Sequence, residues 1–539
     1  MNRLLHHWFP KLRRPGGRVR TPARPRWTCL RPEVLEDRRL LSTFNVNTLA
    51  DLSISAGVNT TTGKINGTNF VTLRSAIQAA NATPGNNTIN LTVPGTYKIA
   101  IPPKSPDDTP GTENNATGDF DIFTNPNASS PSTLTIRNTS FGSVAVSGNN
   151  LDRVFDINPN QVTLPAGKFA VVLEGFTIEN GRASPGDLAP GSGGGIRDQG
   201  NVNLTLTDMV VDHNSATADG GGVVMLNTID NGSRTLTLNN TVISNNHAGD
   251  AGGGIDTDGA GTVVINNSLI DGNTDINQGA GIYVDVPVGI SSSVGANMTM
   301  TGTVVSNNRA FNNVTPLTSS GGGISNAGNG KITILYSTVE NNVSGGMGGG
   351  FSDENNNGTL VVKNSLFLNN SASGNGGAIQ EGGPSTTITY TKFKGNFSGA
   401  NGGALFANGK TLTVQSSTFA NNTASGNGNS TGGGAIEIET TGTSTITYTT
   451  ITGNQALNNA GANGGGIDVG SGSSLTLLHD TIKANFADNG GGIANFGTLM
   501  VSDSTITGNT AGVDGGGIFG SLMDGGGNTI TGNTPDDVS

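Results

Sequence analysis

The sequence predicts an all-β fold: a right-handed parallel β-helix solenoid with one short capping helix near its N-terminal end. Three observations predict it. From about residue 190 onward a Gly-Gly-Gly-Ile block, a Leu-Thr-Leu block and a Ser-Thr-Ile-x-x-Asn block recur, and the apolar residue closing the glycine block returns every 25 to 42 residues, a period that signals a solenoid. In the middle block apolar residues alternate with Thr or other polar residues, and a period of two is a strand with one face in and one face out. Finally, Gly, Asn, Thr and Ser dominate every period and no stretch of period 3.6 occurs, which excludes the helical solenoids.

Each coil can be laid out in order. The glycine block closes at Ile196, Val223, Ile255, Ile282, Ile324, Phe351, Ile379, Leu405, Ile436, Ile467, Ile493 and Ile518. The alternating block follows, with pairs such as Leu204/Leu206, Met298/Met300, Ile332/Ile334, Ile388/Tyr390, Leu412/Val414 and Ile446/Tyr448 expected to face the lumen. Three short strands per coil are expected, each paired with its counterparts about 4.8 Å above and below. Asn214, Asn246, Asn273, Asn308, Asn342, Asn370, Asn396, Asn422, Asn454, Asn485, Asn509 and Asn533 each follow an apolar residue by three. They are predicted to stack at one corner with their amides bonded along the column, in the left-handed conformation that Asn tolerates. The glycine blocks, part of 84 glycines, are assigned to the opposite corner, where no Cβ fits. Both columns are read as structural.

Aromatic residues are 5% and charged residues 12% of the 539, a composition that without pattern would mean disorder; the inward apolar columns overrule it. A solenoid lengthens without starting a second core, so one elongated body is expected at 182–539, preceded by a cap and first coils at 43–181 and a basic segment at 1–42. Residues 1 to 41 carry eleven Lys or Arg against three acids, a net of +8, leaving −19 for the rest of a chain of net −11. The acidic body argues against nucleic acid as a partner. The prolines and Arg-Arg pairs of the head fit an export or sorting segment, although it lacks the apolar run of about 7–15 residues of a secretory signal, and no hydrophobic stretch follows Arg13-Arg14 as a twin-arginine signal would require. Cys29 is the single cysteine, so there is no disulfide framework and no Cys zinc site. No apolar run of about 18 residues is present to span a membrane.

Arg31 to Ser42, Arg-Pro-Glu-Val-Leu-Glu-Asp-Arg-Arg-Leu-Leu-Ser, resembles the Leu-Glu-Pro-Arg-type motif that precedes large surface and secreted proteins of planctomycete-like bacteria. The resemblance implies an extracellular or cell-surface location. From Thr43 to about Gly181 the chain resembles the CSLREAI domain that opens many bacterial parallel β-helix proteins. The blocks that carry it are Val71 to Asn81, Thr88 to Leu91 with Gly95-Thr96-Tyr97, Gly118 to Ile122, and Leu151 to Phe155. Val71 stands for the usual Cys and Ser75 for the usual Glu. Leu73, Ile77 and Ala80 lie at i, i+4 and i+7, the apolar stripe of a short helix that Thr72 would cap. Such a helix would plug the open first coil, whose unpaired strands and apolar lumen need a cover. Arg74 is read as a solvated or cap-stabilising charge.

The coils are similar to those of chlamydial polymorphic membrane proteins. Gly376-Gly377-Ala378-Ile379 and Gly433-Gly434-Ala435-Ile436 carry the Gly-Gly-Ala-Ile motif, and Phe367 to Asn370, Phe393 to Asn396 and Phe419 to Asn422 carry Phe-x-x-Asn. That resemblance implies adhesion at a cell surface. Its members end in a membrane-inserted barrel, which is not expected here because the sequence stops within a coil at Ser539.

Pectin lyase-like β-helices also include polysaccharide lyases and hydrolases, which need acids and bases converging at one phase of neighbouring coils. The histidines of the body, His213, His247 and His479, lack such sets, His479-Asp480 reads as a solvated corner, and no three titratable groups are expected at one coil phase. Acids recur before the glycine blocks at Asp219, Asp250, Asp488 and Asp514. Asp256-Thr257-Asp258-Gly259 reads as a turn with exposed acids, and Asp256 and Asp258 are the first candidates should a divalent ion such as Ca2+ bind, since hard oxygen ligands suit it. No other cofactor is expected. The leading expectation is a structural, adhesive or glycan-binding role with polysaccharide or a cell-surface component as partner and no catalytic centre; the alternative is a lyase or hydrolase acting on an acidic glycan.

Overall fold

The computed structural model describes residues 41–539 apart from 105–113, 124–130, 163–168, 184–190, 227–233, 260, 287–294, 313–318, 355–356, 427–431 and 459–460. The segment expected at 1–42 lies outside the described residues except for its last two, and Ser42 already opens a strand, β1 (Ser42–Val46).

Among the described residues, four stacked parallel sheets of 16, 12, 14 and 15 strands form a β-helix. One coil gives the plan: Ile324–Asn326, Lys331–Leu335, Thr338–Glu340 and Val343–Ser344, each paired in parallel with its counterpart in the next coil. In that order they lie on what are here named the glycine face, the long face, the middle face and the short face. The coil therefore has four strands where three were expected. After the Asn corner the chain runs only two residues along the short face before bending into the next glycine block, and two residues leave no alternation for a sequence to show.

The lumen is one apolar cluster from Phe44 to Ile518. Phe367, Phe393 and Phe419 stack inside it with ring centroids 5.1 and 4.5 Å apart. Their separations sit near the strand spacing, so each ring rests on the next coil's ring, with planes 19° and 6° apart.

The Asn column is a continuous buried ladder. Backbone N and Nδ2 of Asn246 both donate to Oδ1 of Asn273 at 3.0 Å, and Nδ2 also donates to the Val211 carbonyl at 3.0 Å. The same bonds link Asn214, Asn246, Asn273, Asn308, Asn342, Asn370, Asn396, Asn422, Asn454, Asn485, Asn509 and Asn533 in turn. Asp537 Oδ1 accepts from Asn533 where a further Asn would. The left-handed conformation falls one residue before each ladder Asn, as at Asn245 (φ 52°), Asn341 (φ 56°) and Gly508 (φ 63°). The ladder side chain itself must point inward, so its neighbour makes the bend.

The glycine blocks lie against this ladder, not at the opposite corner. A Cβ on Gly323 would stand 3.1 Å from the Asn342 amide, because the short face is only two residues wide. The first glycine of the block requires its residue type for a different reason: Gly348 has φ +60° and any Cβ there would strike the Phe351 carbonyl.

At the N-terminal end, α1 (Leu73–Asn81) begins at Thr72, whose side chain accepts from Ser75 N while Ser75 Oγ accepts from Thr72 N, a reciprocal cap. Leu73 and Ile77 join the lumen cluster beside Phe44, Val46 and Ile89, so the helix packs on the first strands. Arg74 is fully buried rather than solvated. Its Nε and Nη2 hold both oxygens of Asp51 at 2.8 and 3.0 Å, Nη1 and Nη2 donate to the carbonyls of Asp119 and Gly118, and its guanidinium lies 4.9 Å from the Phe120 ring centroid. A planar fork with five donors can satisfy a carboxylate and two carbonyls at once, which ties the cap to the first coils.

Candidate functional site

A second ladder runs inside the corner between the long and middle faces. Thr241 N donates to Ser268 Oγ at 3.1 Å, Thr303 N to Ser337 Oγ at 3.2 Å, Thr391 N to Ser417 Oγ at 3.2 Å, and Thr449 N to Asp480 Oδ1 at 2.7 Å. The residue preceding each ladder position has positive φ and makes the turn. Asp208, Asn240, Asn267 and Gly302 fill that place in the earlier coils, and Tyr336, Asn364, Tyr390, Ser416, Tyr448 and His479 in the later ones.

The tyrosines are therefore outside. Tyr336, Tyr390 and Tyr448 are 64%, 57% and 58% exposed, with φ of 50°, 51° and 52°. The sequence pattern placed Tyr390 and Tyr448 in the lumen; Thr386 with Ile388 and Ser444 with Ile446 face inward instead, in register with Leu412 and Val414. A bulky residue in the left-handed region costs about 1–2 kcal/mol, where Asn or Gly costs less. The backbone N–H of Tyr336, Asn364, Tyr390, Ser416 and Tyr448 each bonds to the following coil, so tyrosines occupy every second coil of this edge. Tyr448 stacks on exposed His479 with ring centroids 4.8 Å apart. Beside it Asp480 is buried, contrary to the solvated corner expected, and burial pushes its carboxyl up to about 7 although the N–H groups of Thr449 and Leu478 bond to it.

Carboxylates collect on the glycine face. Asp256 and Asp258, expected in an exposed turn, lie on the strand Ile255–Asp258, and Asp256 is buried with no hydrogen-bond partner at Oδ1. Burial, then the like charges of Asp219, Asp285 and Asp258, push Asp256 well above the ordinary carboxylate range. Burial likewise pushes Asp219 and Asp285 up to about 6 and Glu354 and Glu381 up to about 7. Such groups hold protons near neutrality and are the type an acid catalyst uses. Asp256, Glu437 and Asp468 on this face, and Asp275 on the short face, are only 3–6% exposed, however, too enclosed for a polymer to reach.

The structure also sets titratable groups at one phase in successive coils: Asp121, Asp156 and Arg197 are register partners. The sequence pattern missed them because the coils before Ile196 have Phe120 and Phe155 in place of the glycine-led phase marker. Among the described residues, Asp119, Asp121 and Asp156 alone form a group of three acids with ligand atoms within 4.8 Å of one another; Asp256 and Asp258 belong to no such group. The Arg153 guanidinium lies 3.2 Å from Asp119 and Arg197 Nε donates to Asp156 at 3.2 Å, so two of the three carboxylates are already paired with cations and the cluster does not suit a metal ion.

Two stretches of the chain, 364–380 and 503–521, match the Chlamydia polymorphic membrane protein repeat. The first contains Phe367, stacked in the lumen, Asn370 of the amide ladder, and the block ending at Ile379. No curated protein matches the chain. Among solved structures, the chain is similar to the catalytic unit of the thermostable GH87 α-1,3-glucanase from Streptomyces thermodiastaticus strain HF3-3, at 14% identity and a TM-score of 0.32 over 86% of this chain and 66% of that one. It thus spans just under two thirds of that unit's length. It is also similar to a mannuronic acid specific polysaccharide family 6 lyase from human gut microbiota, at 12% identity and a TM-score of 0.33 over 79% of this chain and 81% of that one. Among the described residues no helix is long and apolar enough to cross a membrane.

Proposed function

We propose that this protein is a secreted or cell-surface β-helix that binds glycan without turning it over, in an adhesive or structural role. The observation that carries the reading is the division of the outer surface. Hydroxyl rows such as Thr387, Thr413, Thr445 and Thr476, register partners on the long face, reach solvent, Thr413 exposed and the other three half-buried, whereas carboxyls strongly shifted toward acid chemistry, such as Asp256 and Glu437, are buried on the glycine face. Open hydroxyl rows pair with sugar hydroxyls but cannot act as acid or base near neutral pH. The likeness of residues 364–380 and 503–521 to a polymorphic membrane protein repeat, and of the N-terminal blocks to the CSLREAI domain and the planctomycete-type motif, supports the location.

The test is the full chain on a glycan array, run beside assays for unsaturated product and new reducing ends. Binding without product is expected. A second reading, cleavage of an acidic glycan, is favoured by Asp258 and Asp285, register partners in adjacent coils that are both half-buried and both raised in pKa by burial. Product that disappears in Asp285→Asn would establish that reading and overturn the first.

A further inference from the structure

The tyrosine edge has a geometry that hydroxyl rows alone do not. Tyr336, Tyr390 and Tyr448 project from one corner at intervals of two coils, about 10 Å by the strand spacing. In a β-1,4-linked chain every second sugar presents the same face, and one disaccharide advances by a similar distance. The spacing therefore lets each ring meet an equivalent sugar.

Charge at this edge runs against the rest of the molecule. The strands of the long and middle faces from Lys331 to Lys483 carry five exposed lysines, Lys331, Lys363, Lys392, Lys394 and Lys483, against the single acid Glu340, in a chain whose net charge is −11. Lys363 belongs to the coil between Tyr336 and Tyr390 and accepts the Tyr336 N–H at its carbonyl. Backbone strain at three bulky residues, in places where Asn364 or Ser416 serves the neighbouring coils, marks a site kept for something other than the turn.

We propose that the corner formed by Tyr336, Tyr390 and Tyr448, with His479 stacked at its end, binds a carboxylate-bearing β-1,4-linked polysaccharide laid parallel to the axis of the solenoid. The aromatic faces take the C–H faces of alternate sugars, and Lys363 and Lys392 pair with carboxylates between them. The proposal rests on the glycan-binding reading above and adds the ligand class and the place.

The experiment uses the full chain in affinity electrophoresis and calorimetry against polymannuronate, with β-1,4-mannan as the neutral counterpart. Tyr336→Asn, Tyr390→Asn and Tyr448→Asn keep a residue suited to the turn and should melt no lower than the parent. Each is expected to weaken polymannuronate binding about tenfold, an energy of the size of one aromatic contact. Lys363→Gln with Lys392→Gln should weaken it and flatten its salt dependence. Binding of the parent that all three tyrosine variants retain would overturn this site while leaving glycan binding standing. Equal affinity for mannan would overturn the anionic class. A parent that binds no glycan on the array would overturn both this proposal and the reading beneath it.

Discussion

The two inner corners of the coil solve the same problem with unequal strictness. At one, a buried amide closes the bend in twelve successive coils, from Asn214 to Asn533; at the other Thr, Ser, Asp and Asn alternate, as at Thr303, Ser337, Asp480 and Asn528. The difference follows from the number of bonds each side chain must make. Asn342 Oδ1 accepts from both Asn308 N and Asn308 Nδ2, while its own Nδ2 donates to Asn370 and to the Val305 carbonyl. Only a planar amide has the donors and acceptor for that set. Ser337 Oγ accepts from Thr303 N and donates to Leu335 O, which any hydroxyl can do. A corner that needs only an oxygen leaves its outer residue free to vary, and there the tyrosines appear.

The lumen between the corners sets the scale. Leu412→Asp should destabilise by several kcal/mol because it buries an unpaired charge, while Thr413→Asp, at an exposed position, should cost under about 0.5 kcal/mol. Equal costs in chemical denaturation would show that the inward and outward phases are exchanged.

Breaking the stricter corner comes next. Asn342→Ala removes the acceptor of two donors of Asn308 and should cost about 3–5 kcal/mol, read from the denaturation midpoint at constant slope. Ser337→Ala, which strands one backbone N–H, should cost only about 1 kcal/mol. If the two substitutions cost the same, the contrast between the corners fails.

Asp480 sharpens the contrast through pH. The folded carboxyl keeps its proton up to about 7, whereas an unfolded Asp ionises near pH 4. Between those values the folded state binds more protons, so its contribution to stability is full below about 4 and is lost as the pH rises toward 7. Asp480→Ser, which restores the ladder's usual hydroxyl, should be about 2 kcal/mol more stable than the parent at pH 8. It should show no such advantage at pH 4. Melting curves of both proteins across this range check it; a difference independent of pH would refute the assignment.

The smallest effect is expected at the outer turn. Tyr390→Asn, which relieves a side chain held at φ 51°, should stabilise by about 0.5–1 kcal/mol. A loss of stability would mean that the Tyr390 ring packs favourably on its neighbours.

Whatever repeats with the coil is legible in the residue pattern. The apolar columns fix the lumen, and the asparagines at constant offset fix the amide ladder, because a solenoid sets identical positions of successive coils one strand spacing apart. The cap helix was legible from Thr72, Leu73 and Ile77, since its capping and its apolar stripe are local. The remainder depends on how the coils fold against one another. The short-face strands are two residues long from Arg182–Ala183 to Phe397–Ser398 and only three to five in the last four coils, in most coils below the length at which alternation registers. Tyr390 and Tyr448 continue the alternating pattern of Ile388 and Ile446, and only the left-handed bend at those residues turns them outward. Arg74 and Asp256 look like surface charges in one dimension; Arg74 is held by Asp51 and the Asp119 carbonyl, 23 and 45 positions away in sequence, and Asp256 is buried on its strand within reach of the like charge of Asp219. Periodicity reports what every coil must do to stack. A binding edge or a buried charge arises where particular coils differ, and their effect depends on neighbours that only the folded chain brings together.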